Sequence, residues 1–138
     1  MSRFFESTFG VYFDDLDMYG VLHNARYLLF VERTLGEFWR HLGWSSFAAN
    51  PDQFHLVRAN HIEYDRPMVG LGDLRVRLTI GKLGNSSMVV NFRLMPPDQD
   101  LPYATGYRVL VRIDQDTRRP LAWSEGFRDG LRPYVEVE

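Results

Sequence analysis

The chain has no cysteine among its 138 residues. This absence excludes a thiol nucleophile, a disulfide and a metal site built on thiolates. It also suits a reducing compartment, so we expect a cytoplasmic protein.

Long apolar runs and an excess of basic charge are missing as well. No stretch approaches the roughly 18 consecutive apolar residues of a membrane span, and no basic N-terminal segment followed by an apolar run predicts a signal peptide. The formal net charge is -2, which argues against a nucleic-acid partner because such partners usually need a basic face.

The signatures of two common hydrolase classes are also absent. The chain contains no Gly-x-Ser-x-Gly sequence, so a serine hydrolase elbow is not expected. Its four histidines form no closely spaced ligand pair, and we expect neither a metal nor a cofactor. These histidines are His23, His41, His55 and His61.

The apolar pattern that is present predicts a single α+β domain covering residues 1–138. A first strand lies within 3–13, and apolar residues at spacings of three and four predict a long helix over 24–42. Alternation in three later segments, and a fourth segment with polar residues on both faces, predict strands in succession, which favours an antiparallel sheet of five strands with one helix. These later strands lie near 55–64, 74–80, 88–94 and 103–113.

The segment between the first strand and the helix contains several candidate catalytic side chains close together in the sequence. Asp14, Asp15 and Asp17 fall within four positions, and Gly20, His23 and Asn24 follow. An acidic loop that ends at a helix N-terminus places a carboxylate beside backbone N–H donors. Such a pair can attack a carbonyl and hold the negative charge on its oxygen. We interpret Asp15 as holding the loop, Asp14 as facing solvent and Asn24 as the N-cap.

The loop and the segments after it resemble the hotdog-fold acyl-CoA thioesterases. The similarity is to the 4-hydroxybenzoyl-CoA thioesterase-like family, and within it to the branch associated with the Tol-Pal gene cluster. It rests on Asp15-Leu16-Asp17-Met18-Tyr19-Gly20 with Asn24-Ala25-Arg26-Tyr27, and on 58–67, 72–73 and 83–87.

This resemblance implies a five-stranded antiparallel sheet wrapped around one long central helix. It also implies a homodimer, or a tetramer of two dimers, with active sites at the subunit interface. The family's catalytic carboxylate falls on Asp17 and its oxyanion N–H falls near Asn24. Relatives of the Tol-Pal branch carry a histidine where this chain has Asn24, and His23 lies one residue earlier, so we expect His23 to assist.

The expected reaction is hydrolysis of an acyl thioester to an acid and a thiol, with coenzyme A present only as part of the substrate. Carboxylate attack and general-base activation of water both fit Asp17. Two alternatives stay open, an acyl-carrier-protein thioesterase of polyketide or fatty-acid metabolism and a hotdog domain that binds acyl thioesters without catalysis. The residues expected to bind substrate are Gly20, Tyr27, Asn60, His61, Ser86 and Ser87.

Overall fold

A computed structural model describes residues 3–44 and 50–137. The chain forms strand β1 (Phe5–Val11), helix α1 (Asn24–His41) and then four strands in succession, followed by a short helix α2 (Glu125–Leu131). The four later strands are β2 (His55–Tyr64), β3 (Gly72–Leu83), β4 (Ser87–Met95) and β5 (Ala104–Arg112).

The five strands form one antiparallel sheet in the order β1-β3-β4-β5-β2. The predicted α+β class and five-stranded antiparallel sheet are therefore confirmed. The first strand ends two residues earlier than predicted, because Phe13–Asp15 turn into a short 3-10 helix. β1 and β2 lie at the two edges of the sheet.

Helix α1 packs against one face of the sheet. It is 18 residues long and buries a broad stripe that includes Phe30, Val31 and Phe38. The Phe30 ring contacts Phe9 at 5.4 Å and the Phe38 ring contacts Phe5 at 5.1 Å, so α1 lies against β1. The inward residues of β3 and β4 complete the core, since every second residue there is fully buried.

The C-terminal segment, whose sequence indicates a helical turn and an extended end, closes one side of this core. Phe127 and Leu131 of α2 are buried, and the Trp123 ring stacks on Phe127 at 4.7 Å. In the described parts of the chain, no helix is both long enough and apolar enough to cross a membrane.

Candidate active site

The acidic loop after β1 is held by the backbone and by a buried carboxylate. Asp15 is almost fully buried, and its Oδ2 accepts a hydrogen bond from the Tyr12 N–H at 3.0 Å. Its carbonyl accepts from the His23 N–H at 2.9 Å, which brings the two ends of the loop together. Asp15 therefore has the loop-holding role that the sequence favours.

Asp17 sits in a tight turn that fixes one of its carboxylate oxygens. Its Oδ1 accepts from the Tyr19 N–H at 2.8 Å and from the Val21 N–H at 3.3 Å. Gly20 makes this turn possible, because its φ of +76° lies in the left-handed region that favours glycine. Among the described residues Oδ2 has no hydrogen-bond partner, so one oxygen is positioned and the other is available for chemistry.

The start of α1 differs from the sequence prediction by one residue. His23, and not Asn24, is the N-cap, and its Nδ1 accepts from the Ala25 N–H at 3.1 Å. The prediction of Asn24 as N-cap is wrong because the helix already begins at Asn24. The capping bond leaves Nδ1 without a proton, so the neutral ring carries its proton on Nε2.

Asn24 contributes through its backbone. As the first residue of α1, it has an N–H without a partner inside the helix. No other acceptor for this N–H lies in the part of the chain that the structure describes. The sequence predicts an oxyanion donor at this position, and the geometry leaves the N–H free for that purpose.

These groups line one open cleft of about 560 Å³. Tyr64, at the end of β2, donates from its hydroxyl to the Asn24 carbonyl at 3.1 Å, and its ring meets Tyr27 edge-on at 5.0 Å. Burial raises the pKa of the Tyr27 phenol. Gly20 lies in the turn at the border of the cleft. The lining comprises Asp17, Met18, Tyr19, Val21, Leu22, His23, Asn24, Tyr27, Tyr64, Asp65, Arg66 and Pro67.

The sequence analysis did not predict that Tyr64, Asp65 and Arg66 line the cleft. The Arg66 guanidinium is held by the Leu101 carbonyl at 2.7 Å and lies over the Tyr103 ring at 4.4 Å. The signal that was available is their place at the end of β2, directly before Pro67. Only the pairing of β2 at the sheet edge shows that this end meets α1.

The other expected binding residues lie away from the cleft within one chain. The Asn60 side chain accepts from Arg108 Nε at 2.8 Å, and the His61 ring stacks on Tyr107 at 5.3 Å. Ser86 and Ser87 lie at the β3–β4 hairpin. That hairpin is at the far end of β3 from the loop, a separation of roughly 36 Å at the usual rise of a strand.

No group of three or more His, Asp or Glu side chains that could hold a metal ion is found within 3–44 and 50–137.

The chain matches the model of a known protein family and is similar in fold to several solved structures. The model of the thioesterase-like superfamily matches residues 11–131. The fold is similar to that of a predicted thioesterase from Bacillus stearothermophilus, at 21% identity and a TM-score of 0.85, with 97% of this chain and 98% of that one covered.

Two further structures are similar at the level of the fold. One is a 1,4-dihydroxy-2-naphthoyl-CoA thioesterase from Synechocystis, with 15% identity, a TM-score of 0.83 and coverage of 94% and 96%. The other is a Staphylococcus aureus protein in complex with CoA, with 20% identity, a TM-score of 0.85 and coverage of 97% and 85%. The architecture is thus hotdog-like.

Proposed function

The chain belongs to the thioesterase-like superfamily, and from that premise we propose that it hydrolyses an acyl-CoA thioester to a free acid and coenzyme A. One observation carries the proposal. The free oxygen of Asp17 and the free N–H of Asn24 belong to residues that line the same cleft. A carboxylate and a backbone donor at a helix N-terminus are the two groups that acyl transfer requires.

The reaction proceeds through attack on the thioester carbonyl carbon. Asp17 Oδ2 either takes a proton from the attacking water or attacks the carbon itself, while its Oδ1 stays on the Tyr19 and Val21 N–H groups. The carbonyl oxygen becomes an oxyanion and accepts from the Asn24 N–H, assisted by the positive end of the α1 dipole. The C–S bond then breaks and the thiolate leaves. In the route through water this step yields the free acid directly, whereas in the nucleophilic route it yields an acyl–Asp17 anhydride that water then hydrolyses to the free acid and the Asp17 carboxylate.

His23 assists at the leaving group. Because its Nδ1 accepts the capping bond, Nε2–H is the donor available to the cleft. This N–H can donate a hydrogen bond to the departing thiolate sulfur, while the proton that Asp17 takes from water is the one that neutralises the thiolate. The one-residue displacement from the family's spacing thus combines capping and hydrogen-bond donation in a single ring.

We further propose that coenzyme A is the carrier and that the active protein is a homodimer. A CoA complex of a protein with the same fold supports the carrier. The unpaired edge strand β2, with Leu56 and Val57 exposed, supports association along that edge. A second copy there would bring its Asn60, His61, Ser86 and Ser87 positions into reach of the cleft, and its sheet would complete the wrapping of α1. The Asp17-to-Asn24 loop is also the feature that favours the 4-hydroxybenzoyl-CoA-like, Tol-Pal-associated branch.

Measurement of free thiol release from short, long and aromatic acyl-CoA esters tests the proposal. We expect hydrolysis well above the spontaneous rate for at least one ester, and faster hydrolysis of the CoA ester than of the matched acyl-carrier-protein ester. Tight binding of acyl-CoA without thiol release would contradict catalysis and would favour a binding domain. Faster turnover of the carrier-protein ester would reassign the carrier.

A further inference from the structure

The line along which α1 faces β2, called the groove below, runs between the cleft and a second cavity. Asn24, Leu28 and Glu32 follow each other at intervals of four residues, so they lie in one row on α1. Tyr64, Ile62 and Asn60 alternate along β2 and therefore share one face of that strand. This second set forms the opposite wall of the groove.

Hydrogen bonds show that the two rows face each other. The Tyr64 hydroxyl reaches the Asn24 carbonyl at the cleft end. At the other end, Arg108 of β5 binds both Asn60 and Glu32. Leu28 and Ile62 lie between these two bridges and are partly buried against the core, so the middle of the groove is apolar.

Arg108 is the charged residue at the far end of the groove, and it is 5% exposed. Its Nε donates to Asn60 Oδ1 at 2.8 Å and its Nη1 pairs with Glu32 Oε2. In the described part of the chain neither Nη2 of Arg108 nor Oε1 of Glu32 has a partner. Nη2 is not enclosed by protein and the Glu32 side chain is mostly exposed, so both atoms are open to a ligand or to water in the adjoining space.

A cavity of about 170 Å³ lies at this end of the groove. An apolar cavity of about 150 Å³ is large enough to take up a benzene molecule, so this one can hold the end of an acyl tail. Its walls combine apolar and polar side chains in nearly equal measure, so it offers both a surface for an alkyl chain and hydrogen-bonding groups. They include Glu32, Leu35, Trp39, His55, Arg108 and Leu110.

The polar groups of the cavity favour an acyl chain whose terminal group is neutral and can both donate and accept a hydrogen bond. His55 Nδ1 lies 2.9 Å from the Asp52 carbonyl, which can only accept, so Nδ1 carries the proton and burial keeps the ring neutral by lowering its pKa. A terminal carboxylate would be repelled by Glu32 and an ammonium group by Arg108. A hydroxyl can accept from Arg108 Nη2 and donate to Glu32 Oε1.

We propose that this cavity receives the far end of the acyl group and that Arg108 and Glu32 select a tail that ends in a hydroxyl. The inference rests on the proposed thioesterase function. Glu32 lies eight residues beyond Asn24, which is about 12 Å along the helix, and an extended chain of about ten carbons spans that distance. An omega-hydroxyacyl group of about this length is therefore the substrate class.

The test compares kcat/KM for omega-hydroxydecanoyl-CoA and decanoyl-CoA. We expect the native protein to favour the hydroxylated ester about tenfold, since a hydrogen bond to a charged group is involved. Arg108→Met and Glu32→Gln should each bring the ratio of the two values close to one. Glu32 is 60% exposed, so its variant folds even if the Arg108 variant does not.

Glu37→Gln is the matched control, because Glu37 lies on the same helix and pairs only with Arg40 among the described residues. Its ratio should equal the native one. A purely structural role of Arg108 and Glu32 would change the two kcat/KM values together and leave the ratio intact, which would overturn the inference. A native ratio near one with decanoyl-CoA hydrolysed would also overturn it. Absence of hydrolysis for both esters would instead overturn the proposed function, and the inference with it.

Discussion

Three neighbouring carboxylates have different surroundings in the folded chain. Asp15 is buried and holds the loop through the Tyr12 N–H, whereas Asp14 is exposed. Asp17 lies between these extremes, with one oxygen fixed by the turn and one directed to no partner in the described chain. The two hydrogen bonds to Oδ1 give this carboxylate a defined orientation and leave Oδ2 unpaired within the described chain.

Substitution can separate the capping role of His23 from the catalytic role that we propose for it. His23→Ala removes the cap of α1 and should lower the free energy of unfolding by about 1 kcal/mol, whereas His23→Asn should restore it because asparagine is a strong N-cap. Neither variant has the Nε2–H donor, so both should hydrolyse acyl-CoA more slowly. Chemical denaturation and kcat measured on the same samples check this. Native kcat in His23→Asn would mean that His23 is only a cap.

The turn of the loop and the start of the helix after it were largely predictable from the sequence, but the cap residue was not. The order Asp17, Gly20, Asn24 depends on local spacing, and the turn and the free N-terminal donor follow from that spacing. His23 and Asn24 are both able to cap, and which of them does so depends on where the loop closes through Asp15. Tyr64 was missed since its contact with Asn24 joins residues 40 positions apart.

At the scale of the elements, Gly106 is required where β5 meets β2. A Cβ at this position would lie 1.9 Å from the His61 carbonyl oxygen and 2.8 Å from the Phe92 ring. The first neighbour is backbone in a paired strand and cannot move aside. Gly106→Ala should therefore destabilise the fold by about 3 kcal/mol or more, as overpacking of a core does at its upper range.

Gly126→Ala is the control for this change. A Cβ on Gly126 meets nothing within 4 Å, and alanine favours helix α2, so stability should rise by up to about 1 kcal/mol. Denaturant midpoints measure both variants. Equal midpoints for Gly106→Ala and the native protein would show that β2 does not lie against β5 as described.

His55 at the start of β2 makes stability depend on pH. Burial lowers its pKa below the ordinary value of 6.5, and Asp52, Glu32 and Arg108 are the charged groups around it. Below pH 6.5 the unfolded chain takes up this proton more readily than the folded one, so stability falls as the pH decreases through that value. Above it the contribution is complete.

Urea titrations of the native protein and of His55→Gln between about pH 5 and 8 check this linkage. Below pH 6.5 the free energy of unfolding should fall more steeply with decreasing pH for the native protein than for His55→Gln. Parallel curves would show that His55 is protonated equally in the folded and unfolded states. The other three histidines are exposed and are present in both proteins.

The sequence predicted most of the elements and less of their arrangement. Alternation in β3 and β4 is strict because one face is fully buried, and such a pattern identifies strands directly. β2 lacks it, with polar side chains on both faces, since it is an edge strand. The strand order and the pairing of buried Arg108 with exposed Glu32 depend on contacts between distant residues, which periodicity does not contain.

At the scale of the whole molecule, the open edge of β2 predicts a homodimer. Leu56 and Val57 are half exposed on this strand, and a charged edge resists pairing. Leu56→Lys combined with Val57→Lys should shift the protein towards monomer and reduce activity, because the second copy completes the site. Sedimentation velocity measures the oligomeric state of both proteins. A native protein that is monomeric at all concentrations would contradict this prediction.

In the proposed function Asp17 is the base or nucleophile of thioester hydrolysis. A comparison of kcat between Asp17→Asn, Asp14→Asn and the native protein tests this role. Asp17→Asn keeps the turn, since its amide oxygen can still accept from Tyr19 and Val21, but it removes the base or nucleophile. Asp14→Asn changes an exposed carboxylate three residues earlier and serves as the control. We expect Asp17→Asn to lose about 100-fold or more of kcat on acyl-CoA while Asp14→Asn stays at the native rate. Native turnover by a folded Asp17→Asn protein would contradict it.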